Sequence, residues 1–123
     1  MLDHVVINVR DFDSARAFYL HALEPLGLAP VLEFDGMCGF GADRKPELWV
    51  AERDAPSAPV HIALRAADRG TVDAFHRAAL DAGGLDNGEP GPRPHYHEHY
   101  YGAFVLDPDG NNVEAVCHAP PSG

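Results

Sequence analysis

The stretch Pro59-Val60-His61-Ile62-Ala63-Leu64 begins the chain a second time. Moving Asp3-His4-Val5-Val6-Ile7 forward by 57 residues lays His4 on His61. The same shift, without a gap, puts Asp11 on Asp68, Phe18 on Phe75, Ala22 on Ala79, Leu23 on Leu80, Gly27 on Gly84 and Leu28 on Leu85. Like residue types at one constant offset mark an internal duplication. Each copy opens with a histidine on its first strand.

Working outward, residues 2–9 form a β-branched run that reads as a strand. Period two puts Val5, Ile7 and Val9 on one face and His4, Val6 and Asn8 on the other. Asp11 and Asp13 offer helix caps, Phe18, Ala22 and Leu26 give a buried stripe, and Pro25 and Gly27 close the helix. Strands are expected at 28–34, 37–42 and 47–52, with Asp35-Gly36 as the first turn. The second copy repeats this with a strand at 60–66, an Asp68 cap, a stripe of Val72, Phe75 and Ala79, and a stop at Gly83-Gly84. Residues 86–99, rich in Gly, Pro and His, read as an irregular loop. Strands at 100–106 and 112–117 flank the turn Asp107-Pro108-Asp109-Gly110.

The expectation is an α+β fold of two βαβββ modules forming an open, cup-shaped mixed β-sheet. Module 1 spans 1–54, a linker 55–59, module 2 60–118, and a tail 119–123, all in a single domain. The chain has 123 residues, 46% hydrophobic and 23% charged, which suits one globular domain. A net charge of -10 argues against nucleic acid and against anionic membrane surfaces. No basic region precedes an apolar stretch at Met1-Leu2-Asp3-His4, and no apolar run is long enough to span a bilayer. A cytoplasmic protein with reduced thiols at Cys38 and Cys117 is therefore expected.

By the same parity His4, His61, Glu47 and Glu114 all point away from the helices, into the cup. Two imidazoles and two carboxylates suit a borderline divalent cation: Ni, Zn, Fe(II), Mn or Co. Pseudo-twofold pairing is expected to set His4 opposite His61 and Glu47 opposite Glu114. The 67 residues between the two glutamates exceed the repeat by ten, which fits an insertion in the proline-rich loop. A wide, wet cup in which these groups are merely solvated is the other reading of the same spacing.

Asp3-His4-Val5, Val60-His61-Ile62-Ala63-Leu64 and Asp107-Pro108-Asp109-Gly110-Asn111-Asn112-Val113-Glu114 resemble the vicinal-oxygen-chelate superfamily. That group holds glyoxalase I, extradiol dioxygenases, fosfomycin-resistance thiol transferases, methylmalonyl-CoA epimerase and metal-free bleomycin-binding proteins. The resemblance implies paired βαβββ modules, a homodimer, and His4, His61 and Glu114 at the three common ligand positions. It also implies Glu47 at the fourth ligand position of glyoxalase I.

The implied chemistry is a divalent-metal-dependent, glyoxalase-like lyase or isomerase, or a related thiol transferase. Its substrate would be small, with vicinal oxygens, and glutathione a possible co-substrate. The metal acts as Lewis acid, and Glu114 or Glu47 moves the proton. Two alternatives stand beside it: an Fe(II) extradiol-type dioxygenase, and a non-catalytic binder of a small molecule or antibiotic. Trp49 offers a stacking surface or core filling, and Arg65 an anion contact or a salt-bridged rim. His95, His97 and His99 alternate, so an extended chain would place them on one side, as acid–base groups, as a second metal site, or in a polar, aromatic lid. Tyr96, Tyr100 and Tyr101 are candidate substrate contacts, while His21, His76 and His118 read as bystanders.

Overall fold

The structure is a computed structural model that describes residues 1–54 and 58–121. Residues 55–57, most of the expected linker, lie outside the described residues, as do 122–123 of the tail.

The elements run β1 (Val5–Val9), α1 (Phe12–Ala22), β2 (Ala29–Phe34), β3 (Met37–Gly41), β4 (Leu48–Glu52), then β5 (His61–Arg65), α2 (Arg69–Asp81), β6 (Leu85–Pro92), β7 (Tyr101–Leu106) and β8 (Asn112–Cys117). Each half is thus one βαβββ module. The strands form two four-stranded mixed sheets, ordered β1-β4-β3-β2 and β5-β8-β7-β6. In each, the first and last strands pair in parallel and the others antiparallel.

Local chemistry explains the helices. Asp11 accepts from Ser14 N and Asp68 from Thr71 N, so each helix begins on an aspartate that satisfies an orphan N–H. A 3-10 turn at Glu24–Leu26 follows α1 and ends at Gly27, whose φ of 77° few side chains tolerate. The buried faces of both helices meet the sheets in one core that includes Phe18, Tyr19, Phe40, Phe75 and Val105. The two helices also pack against each other.

One expected loop is a strand. Residues 85–92 form β6, paired with β7 through two irregularities in register. As the outermost strand β6 needs no ladder partner on one side, so Pro90 and Pro92 cost it little. Gly88 absorbs the kink at a φ of 154°. With β6, three strands follow α2 as three follow α1, which completes the duplication.

Candidate functional site

The sheet faces away from the helices carry the candidate groups. Along β5, Ile62 and Leu64 pack on the core while His61, Ala63 and Arg65 are exposed. Register sets Ala63 beside Glu114 on the adjoining β8. His61 Nε2 lies 2.8 Å from Glu114 Oε1. The glutamate is 1% exposed, whereas the His61 side chain is 53% exposed. A carboxylate buried so deeply requires partners. The second is the Tyr100 hydroxyl, which donates to Glu114 Oε2. Burial first, and then the hydrogen bond and charge of Glu114, push the Tyr100 hydroxyl well above the usual tyrosine range, so it remains a donor.

The turn motif holds this pair in place. Asp107 Oδ1 accepts from Asp109 N at 2.9 Å and Asn111 N at 2.8 Å. Its Oδ2 accepts from Asn111 Nδ2 at 2.9 Å and from the Tyr19 hydroxyl of α1 at 2.6 Å. Asn111 Oδ1 in turn accepts from Val60 N at 2.9 Å, immediately before His61. One network therefore fixes the start of β8 against the start of β5. The sequence pattern does not single out these roles of Tyr19, Asp107 and Asn111, although the Asp-Pro-Asp-Gly turn itself is a visible signal.

His4 stands elsewhere. Its Nδ1 lies 2.8 Å from Asp3 Oδ1, and it lines a cavity of about 410 Å³ with Phe34, Met37, Lys45, Pro46 and Trp49. Glu47, exposed just before β4, lines a different cavity of about 400 Å³ with His61, between β1 and β5. Among the described residues no three His, Cys, Asp or Glu side chains gather within reach of one cation.

Register also corrects the expected pairing of the two glutamates. Val5 pairs with Leu48 and Val6 with Trp49, while Ile62 pairs with Val113 and Ala63 with Glu114. Since Val6 and Ala63 are repeat equivalents, the residue equivalent to Glu114 is Trp49. Glu47 falls two residues earlier along the strand. Trp49 is half-buried and stacks on Phe34, with centroids 6.1 Å apart and planes 9° apart.

The histidine-rich segment is not extended. Arg93 O accepts from Tyr96 N and His97 N, and His97 O from Tyr100 N, so 93–100 is a series of turns. His95, His97 and His99 consequently do not share one side. His95 packs on Tyr96 at 4.2 Å, Tyr96 edge-on to Tyr100 at 5.1 Å, and His97 edge-on to His118 at 5.7 Å. Tyr101 turns towards α2: its hydroxyl donates to Asp73 Oδ1 at 2.7 Å, and Arg69 lies over its ring. Arg65 is exposed at the end of β5, on the side of His61. Tyr100, a candidate substrate contact by sequence, proves to be a partner of the buried Glu114, a role sequence reasoning missed. Its signal was Gly102, a glycine inside a strand, which often marks a close approach.

The duplicated modules and the turn before Glu114 agree with comparison to known proteins. The sequence matches the Glyoxalase/Bleomycin resistance protein/Dioxygenase superfamily over residues 1–115, and the chain belongs to that superfamily. Among solved structures it is similar to a glyoxalase/bleomycin resistance protein from Albidiferax ferrireducens T118, at 26% identity and a TM-score of 0.86, covering 95% of this chain and 98% of that one. A glyoxalase-related enzyme from Fulvimarina pelagi shares the fold at 18% identity and a TM-score of 0.74, covering 95% and 87%. The E144Q mutant of Zea mays glyoxalase I does so at 22% identity and a TM-score of 0.72, covering 94% of this chain and 46% of that one. Among curated proteins, none matches the chain. No helix among the described residues is long and apolar enough to cross a membrane.

Proposed function

We propose that the chain is a divalent-metal-dependent lyase or isomerase of glyoxalase type, acting on a small substrate with vicinal oxygens. The carrying observation is the pair His61 Nε2 and Glu114 Oε1, 2.8 Å apart on an open sheet face. The donor chemistry fits a borderline cation: one reachable imidazole beside one buried carboxylate, with their ligating atoms facing each other. His61 and Glu114 would hold the ion, and His4 is the third ligand. Because His4 and His61 line separate cavities, a homodimer in which a second copy presents its His4 to this pair is part of the proposal. Both β1 and β5 lie at sheet edges, and Val6, Leu32, Phe34 and Val60 are exposed, which supports a partner over this face.

The metal, Ni, Zn, Fe(II), Mn or Co, would polarise the two substrate oxygens as a Lewis acid. The chain's own groups do the rest. Glu47, displaced from the ligand position by register, is the exposed carboxylate on the wall of the His61 cavity. It takes the proton from one carbon and returns it to the neighbouring one. Arg65 offers a cation for a substrate carboxylate such as those of glutathione, and the Trp49–Phe34 surface stacks a planar group.

Metal analysis of protein purified without chelator, with thermal shifts on adding each ion, tests this reading. A rise in Tm with at least one ion, abolished in Glu114→Gln, is expected. If no ion raises Tm, the chain is a binder of small molecules rather than a metalloenzyme. One observation favours a second reading. Trp49 in place of a second carboxylate leaves two imidazoles and one carboxylate, the set used by Fe(II) oxygenases. Oxygen uptake on catechols after anaerobic Fe(II) loading distinguishes an extradiol-type dioxygenase.

A further inference from the structure

We infer that Tyr100 is a positioning residue that reserves Glu114 Oε1 for the site by occupying Oε2. The inference rests on His61 and Glu114 being the working pair of the proposed function. Glu114 has two oxygens and two partners: Oε1 faces His61 and Oε2 accepts from the Tyr100 hydroxyl. With one oxygen committed, the carboxylate meets a cation or a proton through the other alone.

The surroundings are built for that contact. The Tyr100 ring is held edge-on by Tyr96 at 5.1 Å and by His118 at 5.4 Å. A Cβ on Gly102 would stand 3.1 Å from Tyr100 Cε1 and 3.3 Å from Glu114 Oε2, so the glycine leaves the slot in which ring and carboxylate meet. The segment 93–100 thereby acquires a role. Its turns deliver Tyr100 to the buried glutamate, and His95, Tyr96 and His97 brace the delivery.

Tyr100→Phe keeps the ring and removes only the hydroxyl, and two measurements read the result. In metal-free protein, proton NMR should show a hydroxyl signal that is lost in Tyr100→Phe and displaced in Glu114→Gln. A wild-type protein without that signal overturns the inference, whatever the metal result. With Co(II), Tyr100→Phe should bind about 10–100-fold more weakly than wild type and show an altered visible band, because the carboxylate is free to turn. Equal affinity with an identical band would also overturn it. Absence of any Co(II) band in wild type counts against the metalloenzyme alone and leaves the proton signal to decide the role of Tyr100.

Discussion

The Tyr19 hydroxyl donates to Asp107 Oδ2 at 2.6 Å, and this bond joins the helix of the first module to the turn of the second. Both side chains are buried. Burial, followed by the charge of Asp107, pushes the Tyr19 hydroxyl well above its ordinary range, so it donates at every physiological pH. Tyr19→Phe keeps the ring but withdraws a buried donor, at an expected cost of about 1–3 kcal/mol. Urea unfolding measures it, and an unchanged midpoint would mean the bond contributes nothing.

Two glycines should respond oppositely to alanine. At Gly84 a Cβ would lie 2.4 Å from Val105 Cγ1 and 2.7 Å from Phe18 Cε1, so Gly84→Ala overpacks the core and should cost about 1–3 kcal/mol. At Gly70, inside α2, the nearest atom would be Asp68 Oδ1 at 3.6 Å. Gly70→Ala should therefore gain about 0.5–1 kcal/mol by helix propensity. Paired thermal melts decide, and equal shifts in the same direction would contradict the packing described.

Acid should weaken the start of α2. Hydrogen bonds from Thr71, through its side chain and then its backbone, hold the Asp68 carboxyl below its ordinary value of 3.8. A depressed folded pKa means the stabilisation is present above 3.8 and is lost as pH falls through the folded value. Asn caps as well as Asp but does not titrate in this range. Asp68→Asn should match wild type at neutral pH and show a smaller fall in urea midpoint at about pH 3. An undiminished fall would remove Asp68 from the acid response.

Cys38 should be slow towards thiol reagents. Burial, and secondarily the charge of Glu33, push its thiol up to about 11, and no part of it is exposed. Since the thiolate is the reactive form, labelling at neutral pH should proceed only through opening of the fold. Rapid labelling of native protein at Cys38, followed by mass spectrometry, would show that β3 is more accessible than its packing implies.

Much of the architecture could be read from residue order, because alternation and capping are local. Val5, Ile7 and Val9 declared one face of β1, and Asp68 declared the start of α2. The constant offset of 57 residues relates His4 to His61. What local rules missed was β6, whose Gly and Pro content imitates a loop and whose edge position makes that content harmless. The position of Glu47 is illegible for a related reason. Counting along the chain says nothing of which strand residue lies beside which, and only the ladder reveals that Trp49 is the counterpart of Glu114. Tyr100 needed a contact between segments that no periodicity encodes.

The bond from Val60 N to Asn111 Oδ1 has a mechanical consequence. It clamps the neighbour of His61 to the start of the strand that carries Glu114, so these two side chains travel as one rigid body. Through Asp107 the same network reaches Tyr19 of the first module, so a substitution far from His61 can still shift the spacing of that pair.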